Sequence, residues 1–365
     1  PNDTATDAAR HQLAALLYED GKPVEAYDAT LKVRPGYERL PNLRLYQGAL
    51  AFQLLTAKDS PLPEARRPDV YRRTRDDLEK LPAPPPTAND DDARIFLSVR
   101  ARLASLSLLQ SRVDAESEKA EPGTAKARRV ADEAIAAAGG YPSLRADGGK
   151  GAWNLDGWEA VLAAEDARTR AIYIEATNHF AAAKYDEVFA AAGKVLSEMN
   201  DRGPVAADAK KADGAPAQKE RVGKLADGVD KLRRDLVVVA LKTRVQQGQA
   251  DKGVELFDLL KKFGGSVEAN VPTLEQLTLD ISRRIDALRR NGKADEARQL
   301  AQGFGTLLER VAGEQNLPPA VHLFLGQALV VVGEYDKAEA ALAKIPRPAD
   351  AKALANPTAV ADEAL

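Results

Sequence analysis

The chain has 365 residues, 29% of them charged and 44% hydrophobic, and it contains no cysteine. That absence excludes disulfides, a thiolate nucleophile and cysteine-ligated zinc, and a net charge of -3 supplies no field for a polyanion, so no nucleic-acid partner is expected. Only 5% of the residues are aromatic and alanine is abundant, which suits close helix packing rather than a sheet sandwich.

Taken in order, Asp7 is the expected N-cap of a first helix that carries Ala14 and Leu17. Gly21 turns the chain, and Pro23 opens a second helix at a position where proline is welcome. Pro41 to Ala57 reads as the next helix, with Gly48 at a small position, and its partner as Pro68 to Leu81. Residues 82–92, PAPPPTANDDD, are expected to be an extended linker, because each proline lacks an amide and clashes with the preceding turn. Ile95 to Val113 and Ala125 to Ala138 form the following pair, and Gly148 to Gly151 is the candidate break between two lobes.

The second half begins with Trp153 and Trp158, the only tryptophans, in a helical run that ends near Ala183 and pairs with Tyr185 to Met199. Residues 201–220 are polar, carry proline and glycine, show no apolar period and read as an exposed insertion. Leu236 to Gln247 then pairs with Ala250 to Phe263 around Gly248, and Leu274 to Arg290 with Ala294 to Val311 around Gly292. The last pair, Ala320 to Pro346, is the clearest. Val321, Leu325, Leu329 and Val332 form one helical face and Tyr335, Ala338, Leu342 and Ile345 another, with Gly333 between them. The expected organisation is therefore an N-terminal lobe, 1–147, a C-terminal lobe, 152–346, and a tail, 347–365. Because Val330, Val331 and Phe324 extend the apolar surface of the last pair, the tail or another chain is expected to cover it.

This last unit resembles a tetratricopeptide repeat (TPR): Leu325, Gly326, Leu329, Gly333, Tyr335, Ala338, Leu342 and Pro346 fill its pattern, with Leu329 in place of the first Tyr. The resemblance implies an all-α fold, a right-handed TPR-like α-solenoid of about seven stacked antiparallel helix pairs. The units are longer than the family standard, since the turn glycines recur roughly every 40 residues rather than about 34. It also implies a concave face, lined by first helices, that receives a protein or peptide. The first-helix residues proposed for that groove are Tyr18, Arg170, Tyr173, Lys242, Arg283, Asp286, Arg289 and Arg290. The family's carboxylate clamp of Lys, Asn and Arg is not reproduced.

No catalytic or metal constellation emerges, and no cofactor is expected. His11, His179 and His322 lie in different pairs, without the convergence a zinc site needs. Asp90, Asp91 and Asp92 lack the third carboxylate of a magnesium motif and read better as a helix start. Gly148-Gly149-Lys150-Gly151 lacks the spacing of a phosphate loop, and Trp153 and Trp158 read as core. The expected function is a non-enzymatic interaction scaffold. The competing readings are a coat-like or envelope-associated solenoid acting by self-association, and, with least support, an all-helical enzyme.

The longest apolar run, Leu236 to Leu241, falls far short of the roughly 18 residues a membrane span requires, so no transmembrane segment is expected. The chain opens at Pro1 and its one methionine is Met199, as expected of a fragment or processed chain. The alanine-, aspartate-, arginine- and glycine-heavy usage suggests a bacterial source and leaves cytoplasm and periplasm open.

Overall fold

The computed structural model describes residues 4–148, 151–264 and 267–345. Among these the chain is all-helical, 78% helix in 17 α-helices, with no strand. The expected tail, 347–365, and Pro346 of the last motif lie outside the described residues.

The chain divides into two compact units. One comprises residues 1–175 and 205–232, the other 176–204 and 233–365. Gly148 and Gly151 therefore lie inside the first unit, where the loop around them is closed by an antiparallel bridge between Arg145 and Trp153.

The first unit begins with α1 (Thr4–Glu19), α2 (Pro23–Thr30), α3 (Leu40–Thr56), α4 (Arg67–Glu79) and α5 (Asp90–Ser107). It continues with the short α6 (Gln110–Val113) and α7 (Ala115–Glu118), then α8 (Gly123–Ala138) and the start of α9 (Leu155–Ala181). Neighbours pack in sequence, α1 on α2, α2 on α3 and α3 on α4, while α3 also packs on α5 and α5 on α8. Tyr27 shows how a partly polar core is tied together. It is buried, and its hydroxyl lies 2.8 Å from Thr74 Oγ1, joining α2 to α4.

Three sequence expectations change here. Asp7 lies inside α1 rather than capping it, and its buried carboxylate accepts from Arg34 Nε at 2.7 Å and pairs with Arg10 at 3.2 Å. Burial raises that carboxyl's pKa, but the hydrogen bonds from Arg34 and Arg10 outweigh it and leave it below the ordinary aspartate value. The helix at Asp90 is capped by Asn89, whose side chain accepts from the Asp92 amide at 2.8 Å; Asp90 to Asp92 form the acidic first turn. The linker thus ends at Asn89, and it is pinned by Tyr141 and Ser143, which donate to the Pro84 and Ala88 carbonyls.

Residues 201–220 are not a wholly exposed insertion. They contain α11 (Val205–Ala209) and the start of α12 (Pro216–Gln246), and Ala206 and Ala209 are buried against Leu155, Leu162 and Val222. The Asp230 carboxylate accepts from the amides of Val205 and Ala206 at 3.1 and 2.9 Å, satisfying donors that a helix start leaves open.

The second unit holds the end of α9, α10 (Tyr185–Arg202), the end of α12, and α13 (Ala250–Gly264). It is completed by α14 (Val267–Arg290), α15 (Ala294–Ala312), α16 (Pro319–Val332) and α17 (Tyr335–Leu342). Here too α14 packs on α15, α15 on α16 and α16 on α17, with α14 also on α16. Pro272 sits within α14, so that helix begins earlier than the expected Leu274 and tolerates one missing amide bond.

One turn is used five times. Gly21, Ala183, Gly248, Gly292 and Gly333 have φ values between 56° and 88°. At each, two amides fold back onto the preceding helix, as Gly333 does to Val330 O and Glu334 to Leu329 O, both at 3.0 Å. Of these five residues Ala183 alone carries a Cβ in this left-handed backbone. Ala183→Gly is therefore expected to stabilise the second unit by about 1 kcal/mol, seen as a higher Tm. A lowered Tm would show that the alanine methyl contributes packing that outweighs its strain.

Candidate functional site

A groove of about 560 Å³ crosses the first unit, lined by α3, α5 and α9 with Leu225 of α12. Its size lies within the ordinary range for ligand pockets. The α3 helix contributes Asn42 and Tyr46, α5 contributes Arg94, Ser98 and Arg102, and α9 contributes Glu159 and Asp166. Leu45, Ala49, Ala101 and Ala163 supply small apolar surface between these polar groups.

Local packing places Arg102. Gly48 on α3 leaves room for its stem: a Cβ on Gly48 would lie 2.7 Å from Arg102 Cγ. Beyond the stem, the guanidinium carbon lies 5.4 Å from the centre of the Phe52 ring, within cation–π range. Gly48 and Phe52 are one helical turn apart on α3 and together hold the arginine against that helix.

The other charges of the groove are already engaged. Arg94 pairs with Asp156 at 3.1 Å and also with Asp91, Glu159 with Arg221 at 2.8 Å, and Asp166 with Arg170 at 2.9 Å. Burial pushes the Asp156 carboxyl above the ordinary aspartate value, with Arg94 opposing. Among the described residues no carboxylate pairs with Arg102, which is half-buried, and burial alone lowers its pKa. Ser98 lies one helical turn before it on α5 and, among the described residues, makes no side-chain hydrogen bond.

The sequence-proposed groove residues fall in both units. Tyr18 donates to Gln53 Oε1 at 3.0 Å and meets Tyr46 edge-on at 6.4 Å between ring centres, which places it beside the groove. Arg170 reaches the same groove by holding Asp166, while Tyr173 is half-buried on α9. The remainder belong to the second unit. Lys242 is committed to Asp280 at 2.9 Å. Arg283, Asp286, Arg289 and Arg290 are exposed at the end of α14, where Arg289 lies 3.9 Å from Asp286 and Arg290 Nε donates to the Asp286 carbonyl. Arg102, Asn42, Ser98 and Tyr46 were absent from the sequence proposal. A polar stripe at Arg94, Ser98, Arg102 and Ser105, at helical spacing within a leucine-rich helix, was the available signal.

The remaining motifs are structural in their contacts. His11 Nδ1 lies 3.3 Å from the Tyr37 hydroxyl, and His322 is buried, its pKa lowered by burial and then by Lys344. Among the described residues no group of three or more His, Cys, Asp or Glu is placed to hold a metal ion. Trp153 packs on one core cluster beneath Arg145, 3.1 Å from the ring centre, and Trp158 on another. No helix among the described residues is long and apolar enough to cross a membrane. No protein-family model matches the chain, and no curated protein matches it closely enough to assign a relationship.

Proposed function

We propose that this chain is a non-catalytic interaction scaffold, a TPR-like α-solenoid of about seven helix pairs whose first helices present a groove to a protein or peptide. The observation that carries this reading is that α3, α5 and α9, which the repeat reading takes as the opening helices of three pairs, together line the groove of the first unit. The shared left-handed turn and the packing of opening helices on one another, α3 on α5 and α14 on α16, support the repeat reading.

A second reading, self-association as a coat-like element, draws on apolar side chains exposed near both ends of the described chain. Leu13 and Leu16 of α1 are exposed, as are Val330, Val331 and Tyr335 of the last pair.

Affinity capture with the full chain separates these readings. A stoichiometric partner lost on Ser98→Trp, which fills the groove, and kept by the double variant Arg289→Glu, Arg290→Glu assigns binding to the first unit. The reverse pattern assigns it to the end of α14. No partner in either case, with concentration-dependent assembly in light scattering, favours self-association and removes the scaffold proposal.

A further inference from the structure

We infer that the ligand of the first-unit groove is an acidic peptide segment, with a side-chain carboxylate that pairs with Arg102. This inference rests on the groove being a peptide site.

Charge complementarity is the first reason. Of the four charged residues that line the groove, Arg94, Glu159 and Asp166 are each met by an opposite charge from the protein. Among the described residues Arg102 is met only by the face of Phe52. A half-buried guanidinium has given up part of its hydration, and a ring face returns less than a carboxylate does. An incoming carboxylate therefore gains a charge-assisted, forked hydrogen bond without having to break an existing ion pair.

Construction is the second reason. The stem of Arg102 runs across Gly48, where any side chain would collide with it, and its head rests on Phe52. The side chain is ordered before any ligand arrives, which reduces the entropy lost on binding. Ser98, one turn away with a free hydroxyl, offers a second donor to the same anion. The apolar floor of Leu45, Ala49, Ala101 and Ala163 suits small or apolar residues flanking the acidic one. A nucleotide or other polyphosphate fits less well, because the rim carboxylates Glu159 and Asp166 lie within the same groove. Their own arginines offset them for a single negative charge, but hardly for several.

The test uses two fluorescein-labelled degenerate decapeptide pools that are identical except for a central glutamate or glutamine, with fluorescence polarisation against the full chain. The glutamate pool is expected to bind about tenfold more tightly, the difference made by one hydrogen-bonded charge pair. Arg102→Gln is expected to remove that preference. Ser98→Asp places a carboxylate one turn before Arg102, an arrangement that favours intramolecular pairing and leaves the helix intact. It is expected to remove the preference with the Tm unchanged, so loss of folding cannot mimic the result. Equal binding of both pools to the native chain, or a preference that survives Ser98→Asp, overturns the carboxylate assignment while leaving the groove a peptide site. Binding of neither pool overturns the inference together with the groove reading on which it rests.

Discussion

Tyr71→Ala is expected to destabilise the first unit by about 3–5 kcal/mol, the range for truncating a fully buried aromatic side chain. Tyr71 on α4 has no exposed surface and packs in the cluster that holds Leu54, Val70, Leu106 and Leu109. Its hydroxyl donates to Gln110 Oε1 at 2.8 Å, and Gln110 Nε2 in turn donates to the Glu121 carbonyl at 2.8 Å. Burial raises the phenol pKa, so the hydroxyl remains a donor throughout the neutral range. The two bonds join α4 to α6 and to the segment preceding α8, a region of short helices with little apolar material of its own.

The milder Tyr71→Phe separates packing from hydrogen bonding. It keeps the ring but leaves the buried Gln110 oxygen without its donor, at an expected cost of about 1–3 kcal/mol. Urea unfolding followed by far-ultraviolet circular dichroism reads both variants as shifts in midpoint. A phenylalanine variant with an unchanged midpoint would show that the glutamine oxygen finds another donor at no cost.

Gly157→Ala tests a sign rather than a size. Alanine is the better helix former by about 1 kcal/mol, so propensity alone predicts stabilisation within α9. The fold reverses that. The Asn154 side chain caps α9 by accepting from the Gly157 amide at 2.8 Å while its own amide donates to the Ser143 carbonyl at 2.7 Å. This brings the backbone after α8 onto the first turn of α9, and a Cβ on Gly157 would overlap the Leu144 carbonyl oxygen and press on the Trp153 ring. Backbone atoms cannot step aside as a side-chain tip can, so the expected result is a net loss of about 1–3 kcal/mol. Gly228 on α12 is the control: it is exposed, nothing lies within reach of its Cβ, and Gly228→Ala is expected to gain about 1 kcal/mol. Thermal melts of the two variants should move in opposite directions. Movement in the same direction would show that the turn between α8 and α9 relaxes around the added methyl group.

The parts of the chain that were legible in advance share a local cause. Gly21, Gly248, Gly292 and Gly333 mark turns because a left-handed residue after a helix favours glycine, and that requirement is visible at a single position. The small residue five positions after Gly21 and Gly333, Ala26 and Ala338, is buried where the second helix closes on the first. Ala183 breaks the glycine rule but keeps the turn, with its amide and that of Lys184 folded back onto the Phe180 and His179 carbonyls.

The misreadings share the opposite cause. Asp7 has the composition of a cap, but its role is decided by Arg34, which the turn after α2 brings back to it. Residues 201–220 carry only small residues as their fully buried anchors, Gly203, Ala206 and Ala209, a weak apolar signal, and α11 is capped by Asp230, well beyond the segment itself. The groove residues proposed from sequence are a different case: Arg170 is paired locally with Asp166, whereas Arg283, Arg289 and Arg290 are exposed and the capture experiment decides their role.

By itself the sequence determined the helical class, the positions of the turns and the apolar stripes, since each depends on residues within one or two helical turns of one another. Only the tertiary structure decided which charges were left over. Asp166 is paired within its own helix, but Arg94 and Glu159 find partners on other helices and Arg102 finds the face of Phe52, because those contacts depend on distances between helices that the helical period of any one of them does not encode.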